Sequence, residues 1–570
     1  MLFNSIEFLF VFLPFTVAGY RLLRRLGYDQ WATLWLTVLS LGFYGWWNPP
    51  YVLLLLGSIT ANYILGRAIN QAPDASRSRR SLTLLGIALN LGLIGYYKYA
   101  NFFLGAVDRV LGSDLQIVPI VLPLAISFFT FQQIAYLIDV DRGHAPPYTP
   151  IEYTLFVTFF PQLIAGPIVH HQEMMPQFAR FPSPATVASQ SPKIDSKDLT
   201  QNSTNLNDRV NSLTRSSTDL TDQPTDQLAN QPTHLPTDSP EDQPSNRRSH
   251  HLAVGCTIFT LGLIKKIWIA DPIATISSPL FDVASTGHIL TVVEAWSAAL
   301  FYTFQLYFDF SGYSDMAIGA ARLCGIVLPF NFDSPYKATS ISEFWRRWHI
   351  TLSNFLRDYL YIPLGGNRSG NPFVNVWITM LLGGLWHGAG WTFVVWGGLH
   401  GVYLGLDRAW RLVWSRVWQD WRDRVHHPRR SSRGMQQVQR SLGLGLAWCL
   451  TFGAVTVSWV IFRADRLGTA GSILRSMVGF RGIACGELNP LHGAIAALLF
   501  IIVGFAPNLL EIMHRYEPAF GFERLDRDQP PSWLTWTPKP WLGIPLGVLM
   551  FLALQTLLLA PESEFLYFQF

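Results

Sequence analysis

Trp377-Ile-Thr-Met-Leu-Leu-Gly-Gly-Leu-Trp-His387-Gly-Ala-Gly-Trp391 is the stretch that decides the fold. It lies in a run of uncharged residues from about Phe373 to Leu399, which is long enough to cross a bilayer at about 20 residues per crossing. A titratable side chain at that depth is costly. His387 is therefore predicted to be functional and to face the protein interior or a water-filled cavity.

The residues around His387 favour a site over a simple helix contact. An isolated histidine can hold two helices together through one hydrogen bond, and small residues can mean tight helix packing. Trp386 and Trp391 are expected to wall a space beside the ring, with Trp391 one turn further on the same helical face. Four glycines would leave room there for a substrate: Gly383, Gly384, Gly388 and Gly390.

A second stretch, Trp345-Arg-Arg-Trp-His349-Ile-Thr-Leu-Ser353, mixes arginine with tryptophan. This composition is typical of a segment at the edge of a membrane. His349 is expected to turn from that edge toward the protein.

Composition indicates an all-α, multi-pass integral membrane bundle. The chain has 570 residues, of which 49% are apolar and 14% charged, against about 25% charged in an average soluble protein. About 10 to 12 crossings are expected, together with re-entrant or interfacial helices. The net charge of +4 is scattered, so no nucleic-acid partner is predicted, and the 4 cysteines are too far apart to suggest a disulfide framework or a metal site.

The positions of the arginines predict the orientation of the first helices. Arg21, Arg24 and Arg25 follow the first apolar run, and another basic cluster begins at Arg77 after the third. Because basic loops lie in the cytoplasm, the N-terminus is predicted to be outside.

Two segments depart from regular membrane helices. Glu152 to Val169 contains Pro161 and Pro167 and is expected to be a broken or re-entrant element near the site, followed by two histidines that we place outside the chemistry. Residues 183–250 are rich in Ser, Thr, Asn, Asp and Pro, and are predicted to be a disordered insertion. It separates N-terminal helices, 1–182, from a core, 251–570, within one membrane domain.

Asp309 and Asp315 are carboxylates in an otherwise apolar region. They could act in acid–base chemistry, cap short helices, or pair with Arg322, Arg346 or Arg347. Pairing is favoured, because carboxylates near the interface with arginine available are usually structural partners.

Several blocks in one order resemble the membrane-bound O-acyltransferase family. The two histidine stretches carry the resemblance, and the alginate O-acetylation branch and the teichoic acid D-alanyl transferases are the most similar members. Further matching blocks are Pro123 to Tyr136, Phe160 to Pro167, Lys265 to Asp271, Phe308 to Asp315, Tyr361 to Asn367 and Phe565 to Phe570.

The resemblance implies an O-acyltransferase of the bacterial inner membrane with no bound cofactor. An acyl thioester, either acetyl-CoA or an acyl carrier protein, would arrive from the cytoplasm, and an exported polysaccharide from outside. They would meet in a tunnel with His387 at its centre. The resemblance also implies a separate extracytoplasmic acyltransferase as partner.

His387 is the candidate general base, because an imidazole can take the proton of an attacking hydroxyl. His349 could orient the donor or stabilise charge, or only hold its helix. The residues expected to line the site are Trp386, Trp391, Gly388, Asn367 and Ser353. D-alanyl transfer to an envelope polymer is the main alternative, lipid acylation a more distant one, and a non-catalytic conduit would also fit an intramembrane histidine among glycines and broken helices.

Overall fold

The structure is a computed structural model that describes residues 1–112, 120–164, 166–178, 244–424, 433–480, 489–521, 535–559, 563 and 565–566. Within these ranges the chain forms helices and no strand, apart from one isolated parallel β-bridge between Pro329 and Phe520. The predicted all-α class is confirmed.

The described residues before the predicted insertion form nine α-helices. They are α1 Leu13–Arg25, α2 Asp29–Gly45, α3 Pro50–Gln71, α4 Arg77–Ile94, α5 Ala100–Leu111, α6 Ile126–Asp141, α7 Pro150–Thr158, α8 Phe160–Leu163 and α9 His171–Phe178. Two π-helical segments adjoin them, Phe8–Phe12 before α1 and Gly95–Tyr99 between α4 and α5.

The described residues after the insertion form twelve α-helices. They are α10 Pro244–Ile264, α11 Asp271–Ser285, α12 Val292–Leu323, α13 Ile341–Arg347, α14 Ile350–Leu356, α15 Pro372–His387, α16 Trp391–Arg424, α17 Arg433–Arg463, α18 Leu467–Met477, α19 Pro490–Phe505, α20 Leu509–Ile512 and α21 Pro540–Leu559. Short π or 3-10 segments lie at Lys265–Ala270, Pro335–Lys337, Arg357–Tyr361 and His514–Tyr516.

Four helices in the described part are long and apolar enough to cross a membrane: Pro50–Gln71, His250–Ser285, Ser441–Arg463 and Trp541–Leu559. The helix Pro490–Phe505 is apolar but shorter. These spans fit a membrane protein, while the number of crossings remains a prediction.

The histidine stretch folds as a helical hairpin. Asn371 caps α15 by accepting a hydrogen bond from the backbone N–H of Phe373 (3.0 Å), and Pro372 occupies the first turn, where its missing N–H costs nothing. The helix ends at His387 because Gly388 is extended, with φ −163° and ψ 152°. The uncharged run was predicted to continue as one helix from His387 to Trp391, and it breaks at Gly388 instead.

The glycines of the hairpin serve close packing. A Cβ at Gly384 would lie 2.3 Å from the carbonyl oxygen of Phe393 and 3.0 Å from the Cα of Gly397, so α15 and α16 touch backbone to backbone. A Cβ at Gly388 would lie 2.2 Å from the Phe393 ring. The expectation that these two glycines leave room for a substrate was wrong, because neighbouring atoms already fill the space.

The two buried carboxylates of α12 pair with lysines. Asp309 lies 2.8 Å from Lys266 Nζ, and Asp315 lies 2.6 Å from Lys265 Nζ. The prediction of structural pairing is confirmed, but the partners are not the arginines that we expected. The helix continues through both carboxylates to Leu323, so neither of them caps a short helix.

We expect Lys266→Met to destabilise the protein by about 3–5 kcal/mol, because it strands buried carboxylates without a counter-charge. Lys266 is 2% exposed and also lies 2.7 Å from Asp271. The measurement is Tm in detergent, with Lys266→Met/Asp309→Asn as the control. The double variant should recover part of the loss, and a single variant with the Tm of the wild type would contradict the prediction.

The proline-containing segment is broken, as predicted. Helix α7 ends at Thr158, Phe159 leaves helical geometry with φ −49° and ψ 110°, and α8 lasts only four residues. The following extended chain approaches the histidine stretches, because the N–H of Ile168 donates to Thr351 Oγ1 (3.0 Å). The predicted insertion lies outside the described residues as far as residue 243, and α10 begins at Pro244.

Candidate active site

The two predicted histidines lie together inside the protein. The ring centroids of His349 and His387 are 6.4 Å apart, and Trp386 lies 6.0 Å from His349 and 4.8 Å from His387. Both histidines are buried. Two imidazoles from separate helical segments thus contact each other and one indole.

His387 is enclosed by aromatic rings from two other helices. Trp396 of α16 meets it edge-on at 5.2 Å, and Phe462 of α17 at 5.4 Å. On the far side of Trp386, the ring of Phe131 is stacked at 5.9 Å. These large rings restrict the direction of the imidazole.

His349 sits at a strained break between α13 and α14. Its backbone is left-handed, with φ 42° and ψ 54°, a conformation that a non-glycine residue adopts only when the surroundings hold it. This turn swings the side chain away from the interfacial arginines and into the protein. Such strain is concentrated at functional sites.

The hydrogen bonds of Asn331 assign the tautomer of His349. The Asn331 amide Nδ2 donates to Ser314 Oγ (3.0 Å), and its Oδ1 accepts from Thr351 Oγ1 (2.6 Å). The same Oδ1 lies 3.2 Å from His349 Nδ1. Since Oδ1 can only accept, Nδ1 carries the proton, and Nε2 of the neutral ring carries the lone pair.

A cavity of about 260 Å³ opens beside His387. Its polar lining consists of Lys98, Ser127 and His387, and the remaining described walls are mainly apolar. Met1 and Trp47 also line it, and both lie at predicted outer ends of helices. By the predicted topology, the cavity therefore lies on the outer side of the histidine pair.

Lys98 is the site residue that the sequence analysis missed. Its Nζ donates to the carbonyl oxygen of Trp386 at 2.5 Å and to that of His387 at 3.3 Å. Tyr99 OH donates to the carbonyl oxygen of Leu385 at 2.8 Å. A lone lysine in the aromatic run Gly95-Tyr-Tyr-Lys98-Tyr, at the end of an apolar segment, was the available signal.

The other predicted lining residues lie further from the pair. Trp391 begins α16, is 52% exposed and contacts Phe102 at 5.4 Å. Asn367 is exposed and accepts from Tyr361 OH and Arg408. Ser353 donates to the carbonyl oxygen of Trp348 (3.3 Å). Among the predicted side chains, Trp386 contacts both histidines, and Gly388 follows His387 in the chain.

A second cluster, formed by Asp139, His170 and His171, has the spacing of metal ligands. One carboxylate oxygen of Asp139 accepts from His170 Nε2 (2.6 Å) and Tyr359 OH (2.6 Å), and it lies 3.3 Å from His171 Nε2. Burial raises the pKa of Asp139, but these hydrogen bonds outweigh burial and hold it well below its ordinary value. Proton donors thus occupy the oxygen that a metal would need, so we interpret the cluster as structural.

A third buried histidine, His400, is held from both sides. Trp345 Nε1 donates to its Nδ1 (3.2 Å), so its Nε2 carries the proton and donates to Ser458 Oγ (2.9 Å). With one ring nitrogen donating and the other accepting, His400 ties α13, α16 and α17 together.

Comparison with known proteins places both histidines in a recognised segment. The model described as "MBOAT, membrane-bound O-acyltransferase family" matches residues 214–426. The peptidoglycan O-acetyltransferase of Helicobacter pylori is 39% identical over 517 residues, covering 86% of this chain and 82% of that protein.

The names of two further relatives refer to other polymers. The probable alginate O-acetylase AlgI of Pseudomonas aeruginosa is 32% identical over 619 residues, covering 100% of both chains. The teichoic acid D-alanyltransferase of Lacticaseibacillus rhamnosus is 23% identical over 413 residues, covering 70% of this chain and 84% of that protein.

Proposed function

This chain belongs to the membrane-bound O-acyltransferase family, and we propose that it moves an acetyl group from a cytoplasmic thioester to hydroxyl groups of an exported envelope polysaccharide. The observation that carries the proposal is a pair of buried imidazoles with ring centroids 6.4 Å apart, one of which, His387, lines a cavity. The proposed location is the bacterial inner membrane, and the proposed donor is acetyl-CoA or an acyl carrier protein.

His387 is the proposed general base. As the acceptor hydroxyl oxygen bonds to the thioester carbonyl carbon, the imidazole of His387 takes the hydroxyl proton. The tetrahedral intermediate then expels the thiolate, which receives that proton and leaves as the thiol. Because the oxygen attacks the thioester directly, the reaction requires no covalent acyl-enzyme.

His349 is the proposed second imidazole, on the donor side of His387. Its Nδ1–H is bonded to Asn331, so its Nε2 is a hydrogen-bond acceptor. An acceptor at this point can hold the departing thiol as its proton arrives. The buried position of the ring keeps water from competing for the thioester.

We expect Asn331→Leu to lower kcat about tenfold, because the loss of one buried hydrogen bond frees the tautomer and orientation of His349. The measurement is transfer of labelled acetyl groups from acetyl-CoA in membrane vesicles. Thr351→Val is the control, since it removes the hydrogen bonds of Thr351 to the same oxygen and to the N–H of Ile168, and leaves the contact of Asn331 with His349. An equal decrease in kcat in both variants would contradict the prediction that Asn331 acts by orienting His349.

The acceptor polymer is proposed to be peptidoglycan or a secreted acidic polysaccharide. Peptidoglycan is the first to test, because the relative named for it shares 39% identity, against 32% for the alginate relative. Delivery to either polymer would take place outside the cytoplasm, where a separate acyltransferase could receive the acetyl group.

The test is the ester content of purified peptidoglycan and of secreted polysaccharide in a strain that lacks this protein. Base-released acetate and D-alanine are measured, and the strain is complemented with wild type. Loss of acetate that the wild type restores supports the proposal and identifies the polymer. Loss of D-alanine alone would replace it with D-alanyl transfer, the alternative that the Lacticaseibacillus rhamnosus relative favours. No change in either ester would overturn both.

A further inference from the structure

Lys98 makes three hydrogen bonds, and each goes to the site or its rim. Its Nζ lies 2.5 Å from the carbonyl oxygen of Trp386, 3.3 Å from that of His387 and 3.3 Å from Ser127 Oγ. An ammonium group has three N–H donors. All three are therefore in use, and none is left to bind the carbonyl of a substrate.

The two carbonyl acceptors belong to the last turn of α15, whereas Ser127 belongs to α6. The final carbonyl groups of an α-helix have no partner within the helix. Tyr99 OH donates a hydrogen bond to the carbonyl oxygen of Leu385, and Lys98 Nζ donates to the next two carbonyl oxygens. Lys98 and Tyr99 thus form a clamp on the end of the helix that stops at His387. A cation at this end also offsets the partial negative charge of the helix C-terminus.

Gly388 makes the clamp necessary. A helix usually ends with a left-handed residue whose N–H folds back onto the last carbonyls, but Gly388 is extended and the chain turns at once into α16. Side chains from the π-helical segment Gly95–Tyr99 take over that capping function. The position of the His387 ring then depends on a residue that is distant in sequence.

We propose that Lys98, assisted by Tyr99, is a positioning residue that holds the end of α15 and thereby aims the imidazole of His387 into the cavity. This inference rests on the proposed function of His387 as the base. The residues that the clamp joins are 286 to 289 positions apart in the chain. Among the described residues that line the cavity, Lys98 has the only charged side chain. We assign it the positioning of His387 and no contact with the acyl group.

The test compares Lys98→Met, Lys98→Arg and Tyr99→Phe in vesicles with labelled acetyl-CoA and purified peptidoglycan. Lys98→Met should lower kcat 10- to 100-fold with KM for acetyl-CoA within about twofold, because a small misplacement of a catalytic group is costly. Lys98→Arg, which keeps a charged donor, should restore most of the rate. Tyr99→Phe, which removes one bond of the clamp, should lower kcat about threefold.

Tyr63→Phe is the matched control. Tyr63 OH donates to the carbonyl oxygen of Tyr148 (3.1 Å), so the variant removes the same kind of bond away from His387. Its kcat should equal that of the wild type. A Lys98→Met variant with wild-type kcat, or one whose loss is matched by a lower Tm and not rescued by arginine, would overturn the inference. A wild-type protein that transfers no acetyl group from acetyl-CoA or an acyl carrier protein to peptidoglycan or to the secreted polysaccharide would instead refute the proposed function.

Discussion

His387→Ala is expected to abolish acetylation of the polymer, with kcat reduced at least 10²- to 10⁴-fold, the usual contribution of a general base. The loss should fall on kcat and leave the folded fraction of the protein nearly unchanged, because His387 borders an existing cavity and the aromatic side chains of Trp386, Trp396 and Phe462 remain in place around it. The measurement is acetyl transfer in vesicles, with Tm in detergent as the measure of folding.

His400→Ala is the matched control, because it removes a histidine that is equally buried but held by two hydrogen bonds within the fold. It leaves the indole N–H of Trp345 without this acceptor, at about 1–3 kcal/mol, and Ser458 loses one bond but still donates to the carbonyl oxygen of Val455 (2.7 Å). We expect Tm to fall while turnover per folded molecule is retained. If the two variants showed the same pattern, His387 would be structural and the assignment of the base would fail.

The histidine pair could be predicted from sequence because the cost of a polar group in a membrane is a local property. A histidine in a long uncharged run is recognisable from sequence whatever the helix packs against. Trp386, the aromatic residue beside it, does contact His387. For the same reason the carboxylates Asp309 and Asp315 could be predicted to have partners. Because a buried charge is costly, each carboxylate was expected to have a counter-charge, but the sequence does not show which residue provides it.

The contacts that decide the geometry are not local. The lysine partners of the two carboxylates lie 43 and 50 residues upstream, and nothing in the spacing favours them over nearby arginines. Trp391 was placed beside His387 on the assumption that one helix continues. The helix ends where Gly388 is extended, and there Phe393 packs close to Gly388, a contact that only the folded hairpin creates. Lys98 was missed because its acceptors are backbone carbonyls, which leave no mark in a sequence.

The close contact between α15 and α16 yields the second large effect. Gly384→Ala should destabilise the protein by about 1–3 kcal/mol or more, the usual cost of overpacking. The new methyl group would lie 2.3 Å from the Phe393 carbonyl oxygen and 3.0 Å from the Cα of Gly397, and backbone atoms cannot rotate away as a side chain can. The two helices must separate to admit it.

Acetyl transfer per folded molecule should also fall in Gly384→Ala. Gly384 lies less than one turn before His387, and movement of that turn shifts the imidazole. The measurements are Tm in detergent and acetyl transfer per folded molecule. Gly383→Ala is the matched control in the adjacent position, where a Cβ would meet only the Cδ1 methyl of Leu356 at 3.1 Å, a group that can yield by rotation. We expect that variant to remain near wild type in both measurements. Equal Tm values for the two alanine variants would show that the hairpin tolerates separation, and that the glycines do not fix the position of His387.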